Sequence, residues 1–185
     1  MEQGIDPPYD ESREFEIIRL AQTDADAFQP LYLHWVTPVF KYLLFRTGNH
    51  SEAEDLTAQT FLQAYQGLPR YKPTARFAAW LFTIARNLVR DHYRKAGREV
   101  DLEAAGQIVT ADFREASERR DEIELLRQLI KTLSEEEREL IRLRYIAQLS
   151  FAVIAALLGR REDTVKKSLY RLQARLQAML EVQND

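Results

Sequence analysis

A chain of 185 residues with 45% apolar side chains can bury a core in one or two domains, and the absence of cysteine excludes disulfides, thiolate metal sites and a cysteine nucleophile. With no run of eighteen apolar residues, and an acidic opening stretch carrying two prolines where a signal peptide would be basic and apolar, a cytoplasmic setting without membrane insertion is expected. The formal net charge of −3 argues against a nucleic-acid partner only until it is divided: residues 1–27 carry 2 basic and 8 acidic groups, 28–98 carry 10 and 4, 99–124 carry 3 and 9, and 125–185 carry 11 and 8, so positive blocks alternate with negative ones.

Apolar residues recur at spacings of three and four almost throughout, which predicts an all-α chain of two small helical domains joined by a linker, the C-terminal one a helix-turn-helix. The expected parts are an acidic N-terminal extension (1–27), a first domain (28–97), an acidic linker (98–122) and a second domain (123–185). One reading of the extension is a self-inhibitory or partner-binding tail that competes with DNA for the basic surfaces. Phe28 to Phe45 supplies an apolar helix interrupted by Pro38, which fits only a first turn or a kink. Ser51 to Glu54 has the pattern of a capping box, predicting a helix from about 52 to Gln66, stopped by Gly67-Leu68-Pro69. A cationic loop, Arg70 to Arg76, leads into a third helix from about Phe77 to Lys95. In the second domain Ile123, Leu126, Leu129 and Leu133 make one apolar stripe. Ser134 to Glu137 is another capping box, whose carboxylates also suit a helix N-terminus. A short helix from Phe151 to Leu158 ends at Gly159, and a long one follows from about Arg161 to Leu180.

Three surfaces carry functional signals. Residues 70–98 hold eight basic groups against one acid, Asp91, interleaved with Tyr71, Phe77, Trp80, Phe82 and Tyr93. Rings among cations suit unpaired bases, which stack while the backbone is held electrostatically. Phe77 and Trp80 are expected to be core, and Tyr71, in a polar loop, is the better stacking candidate. In the last helix Val165, Leu169, Leu172 and Leu176 form a buried stripe, while Thr164, Lys167, Arg171 and Arg175 share another face, the division a major-groove helix needs. The helix from Glu52 to Gln66 offers a mostly uncharged polar row, Glu52, Asp55, Gln59, Gln63 and Gln66, suited to a protein partner.

Asp55-Leu56-Thr57 with Phe61, then Trp80-Leu81-Phe82-Thr83-Ile84-Ala85-Arg86-Asn87 followed by Asp91 and Arg94, resemble the region-two signature of extracytoplasmic-function (ECF) sigma factors. Ile154-Ala155, Leu158-Gly159 and Thr164-Val165-Lys166 resemble their region four. The resemblance covers roughly residues 28–97 and 123–181. It implies a factor that binds core RNA polymerase and directs promoter recognition, promoter melting and transcription initiation, with an anti-sigma factor or other inhibitory partner. It places Asp55, Gln59 and Phe61 in the polymerase-binding segment. Arg70, Tyr71, Lys72, Arg76, Arg86, Asn87, Arg90 and Arg94 would contact opened promoter DNA, Tyr71 and Asn87 where the family holds a flipped base. Arg160, Arg161, Thr164, Lys166, Lys167, Arg171 and Arg175 would contact the more distant element as duplex. The chain departs from the family pattern at Ala58-Gln59, at Ser134 in place of proline, at Phe151-Ala152-Val153, and at Ser168 where a basic residue is usual.

His34, His50 and His92 lie far apart with no paired carboxylates, phosphate loop or metal-ligand spacing, so no enzyme, metal site or cofactor is expected. Two alternatives stand beside the sigma reading. One is a polymerase-independent helix-turn-helix regulator, which leaves the Trp80 to Arg94 signature without a purpose. The other is a degenerate sigma-like protein that binds polymerase without initiating.

Overall fold

The computed structural model describes residues 13–72, 76–96 and 128–184, and no strand occurs among them. The linker expected at 98–122 and the stripe residues Ile123 and Leu126 lie outside the described residues. The helices are α1 (Glu14–Ala21), α2 (Gln29–Thr47), α3 (His50–Gly67), α4 (Phe77–Ala96), α5 (Glu135–Ile141), α6 (Phe151–Leu158) and α7 (Glu162–Asn184). A π-helical turn, Arg142–Ile146, extends α5.

Boundaries follow local chemistry. Proline stands in the first turn of α2, where its missing N–H costs nothing, and Gly48 ends that helix in the left-handed region at φ 68°. Pro38 does not interrupt α2, which runs through it; Leu31, Trp35, Val39, Tyr42 and Leu43 are buried on both sides of it, and this burial holds the helix together. The N-cap of α3 is not the expected Ser51 but Asn49, whose extended backbone lets its side chain accept from the Glu52 N–H at 3.1 Å. Glu54 instead meets His50 one turn back, at 3.3 Å. The second capping box forms as expected, with Ser134 and Glu137 satisfying each other's backbone donors. Serine in place of proline therefore keeps this helix start intact. Gly159 closes α6 at φ 64°, a conformation that favours glycine.

From Glu14 onward the N-terminal segment packs on the first domain. Ile18 and Ala21 are buried. The Gln22 amide donates to the carbonyls of Leu68 (3.0 Å) and Tyr71 (2.7 Å), which pins α1 to the turn before α4. This part of the extension is thus a piece of the fold, and deleting residues 1–25 would strip core side chains along with the acidic tail.

One continuous buried cluster runs from Ile18 to Leu169. In α4 it takes in Phe77, Leu81, Phe82, Ala85, Val89 and Tyr93, an arc wider than the expected stripe of Phe77, Leu81, Ile84 and Leu88. The extra arc exists because α4 is covered by α2 and α3 and by α6 of the second half, and α2 also meets the π-turn.

Candidate nucleic-acid interface

On α4, Asn87, Arg90, Arg94 and Lys95 are exposed along one side. Arg90 donates to the Asn87 side-chain oxygen at 3.2 Å, and Arg94 pairs with Asp91 one turn back at 3.3 Å. Arg70, Lys72 and Arg76 are exposed around the loop that precedes the helix. Tyr71 is not a free stacking platform. It is 8% exposed, its ring tilted 4.6 Å from Trp80 and edge-on to Phe77. The cause is Gln22, which holds the turn down, and burial together with the Glu14 charge pushes the Tyr71 hydroxyl up to about 12. Phe77 is core as expected, whereas Trp80 is only half-buried and is more accessible than Tyr71.

The second cationic surface is sorted by the acidic start of α5. Arg160 pairs with Glu136 and Arg175 with Glu137 at 2.8 Å, while Lys166 pairs with Glu162 on its own helix at 2.8 Å. The hydrogen bond and charge of Arg160 hold Glu136 below the usual carboxylate range, and the Ser134 backbone N–H, with Arg175 adding to it, does the same for Glu137. Arg161, Thr164, Lys167 and Arg171 are exposed and form no ion pair with a described residue. Beneath them Val165, Leu169 and Leu172 are buried and Leu176 half-buried, so α7 shows the expected division into an inner apolar stripe and an outer cationic row.

On α3, Asp55, Gln59, Gln63 and Gln66 form an exposed row, but Glu52 turns aside to His92 at 3.1 Å. Phe61 is 5% exposed, edge-on to Tyr32 at 4.8 Å. It supports this surface from below and presents nothing to a partner.

Residues 31–99 match the family model for sigma-70 region 2, and residues 123–176 that for sigma-70 region 4. The ECF RNA polymerase sigma factor BldN of Streptomyces coelicolor is 33% identical over 92% of this chain and 67% of its own length. SigL of Mycobacterium tuberculosis is 33% identical over 81% of this chain and 86% of its own. The chain belongs to the ECF RNA polymerase sigma factors. It accordingly binds RNA polymerase and directs transcription initiation. The solved sigma factor RpoE of Bartonella quintana, in complex with the anti-sigma factor NepR, superposes with a TM-score of 0.58 at 25% identity, covering 84% of this chain and 97% of that one. CnrH, solved with the cytosolic domain of CnrY, superposes at 0.65 and 24% identity over 94% and 99%, and shows the same fold. No helix among the described residues of this sigma factor is long and apolar enough to cross a membrane.

The motifs did not reveal a polar cluster between the sigma factor's two halves. Glu139 accepts from the Tyr42 hydroxyl at 2.9 Å and lies 2.9 Å from Arg86, 3.3 Å from Arg142 and 3.5 Å from Arg46. Glu135 meets Arg46, Arg142 (2.8 Å) and Arg138 (3.2 Å). Although burial opposes its charge, the hydrogen bond and charge of Arg142, with Arg46 and Arg138, hold Glu135 below its ordinary range. Burial and the neighbouring Glu139 push the Tyr42 hydroxyl far up, so it stays a donor. The available signal was Glu135, Glu139 and Arg142 at spacings of four and three, which puts them on one helix face.

Proposed function

We propose that this sigma factor divides promoter recognition between its two cationic surfaces. Residues 28–97, with α1 packed on them, dock on core polymerase and open the promoter; 98–122 link; 123–185 read the more distant element as duplex. The observation that carries this is the pair of exposed rows, Asn87, Arg90 and Arg94 on α4 and Lys167 and Arg171 on α7, in a chain of net negative charge. A base turned out of the stack needs hydrogen-bond partners on its edges, which Asn87 supplies, while Arg70, Lys72, Arg76, Arg86, Arg90 and Arg94 hold the strand's phosphates. Tyr71 acts from its buried position by supporting Trp80. On the duplex, Arg171 reads base edges and Arg161, Thr164 and Lys167 hold phosphates; Arg160, Lys166 and Arg175 exchange their carboxylates for phosphates on binding. Asp55 and Gln59 contact polymerase, with Phe61 fixing their helix.

The RpoE relative was solved with an anti-sigma factor, and we assign this chain an inhibitory partner of that kind. It acts in the cytoplasm, as a binding protein and not as an enzyme, without a cofactor. The test is in vitro transcription with purified core polymerase and a promoter library. Initiation at a selected subset is expected. Duplex binding without polymerase, or polymerase binding without transcripts, would overturn the proposal.

A further inference from the structure

α1 lies before residues 31–99, the stretch that matches region 2, yet it packs on the part of that region assigned above to opened DNA. It grips both ends of the connection that leads into α4. At the near end the Gln22 amide donates to the carbonyls of Leu68 (3.0 Å) and Tyr71 (2.7 Å). At the far end a Glu14 carboxylate oxygen accepts the N–H of Phe77 at 3.4 Å. Phe77 is the first residue of α4. Its N–H has no acceptor within its own helix, so an outside acceptor is needed there, and a negative charge suits the helix dipole. Ile18 and Ala21 are buried and seat α1. These contacts carry through to the strand-facing side of α4. The ring of Tyr71, whose carbonyl Gln22 holds, lies 4.6 Å from that of Trp80, and a Cβ at Gly67 would come within 3.1 Å of the same indole, which is therefore confined from the turn side as well. Trp80 and Asn87 stand two turns apart on one face of α4.

We propose that Gln22 and Glu14 are positioning residues: α1 fixes the entry to α4 in the conformation that holds a turned-out base, and so sets how strictly the sigma factor reads the opened strand. This rests on the base-holding role of Asn87 proposed above. A site already in its bound shape loses less of its interaction free energy to ordering, and a wrong base gains less from a site that cannot adjust to it. α1 itself need touch no base. The acidic start of the chain thus contributes, through α1, to selectivity on the opened strand.

The test is base preference of the holoenzyme on premelted versions of one selected promoter, changed one opened base at a time, the preference being the largest ratio of affinities at a position. Gln22→Ala should lower that ratio by about fivefold or more, the effect of two neutral hydrogen bonds, and leave binding of the distant duplex element as it is. Glu14→Ala should act in the same direction by less, and Glu14→Gln, which keeps an acceptor oxygen, should restore most of the preference. Ile18→Val removes one buried methyl group from the same helix and touches neither carbonyl; at a similar loss of stability in urea it should keep the preference. A merely structural role requires equal losses from Gln22→Ala and Ile18→Val, and that result would overturn the proposal. So would an unchanged preference in folded Gln22→Ala. Without DNA, acrylamide quenching of Trp80 fluorescence should rise in Gln22→Ala and not in Ile18→Val, Trp35, the other tryptophan, being buried. Unchanged quenching also overturns the proposal, and this readout decides the matter if Gln22→Ala forms too little holoenzyme to measure. Asn87→Ala on the same templates separates the two failures. If it keeps the preference, the base-holding role falls and takes this proposal with it; if it loses the preference while Gln22→Ala keeps it, only the role of α1 falls.

Discussion

The two halves of this sigma factor reach an exposed cationic row by different routes. The first half has few acids to spare, 4 against 10 basic groups over residues 28–98, and its α4 cations are limited by near neighbours and by one reach across the junction, Arg86 to Glu139. The second half is nearly balanced, and there the start of α5 does the sorting: Glu136 and Glu137 take Arg160 and Arg175, leaving Lys167 and Arg171 outward. A positive segment is therefore a poor guide to which cations are available. What decides is where the few carboxylates sit, and among the described residues those that reach an arginine beyond their own helix are on α5.

That contrast can be broken at several strengths. The greatest effect is expected at the α3 surface, where burial and contact separate. Phe61→Ala should cost about 3–5 kcal/mol of stability, as truncation of a buried aromatic does, seen in urea unfolding, whereas Gln59→Ala should leave stability unchanged and weaken polymerase binding. Next, Arg171→Ala should weaken duplex promoter binding by about 1–3 kcal/mol and relax sequence preference, as loss of a base-edge arginine does; a competition assay against unrelated duplex reads both. Gln22→Ala frees two carbonyls at the turn before α4 and should cost roughly 1–2 kcal/mol of stability, with fluorescence of Trp80 reporting a loosened Tyr71. Smallest is Arg175→Ala. Because its guanidinium is half-exposed and already paired, loss of that ion pair should change stability by less than about 1 kcal/mol and duplex affinity much less than Arg171→Ala does, by thermal melting and the same competition assay.

Much of this was legible in the residues. The helix order, the Ser134 cap, the Gly159 stop and the buried stripe of α7 follow from spacing and capping, which are local. Most of the misses are places where a distant segment intervened. Tyr71 is polar in its sequence context yet buried, because Gln22, nearly fifty residues earlier, holds its carbonyl. Asn49 caps α3 in place of Ser51, a purely local choice between two polar residues two positions apart, because the extended backbone falls at Asn49. The carboxylates at the start of α5 read as partners of the Ser134 cap and the helix dipole, and nothing local to them or to Glu139 indicates Arg46 and Arg86.

The division of labour between the two rows is tested most directly by comparing Asn87→Ala and Lys167→Ala holoenzymes on one selected promoter, measuring duplex binding across salt and the rate of strand opening. Asn87→Ala should slow opening by about tenfold, the worth of one or two hydrogen bonds to a held base, and leave duplex binding intact. Lys167→Ala should weaken duplex binding and reduce its salt slope by about 0.9, one phosphate contact, with opening unchanged once bound. Equal loss by both variants in the same step would contradict the account.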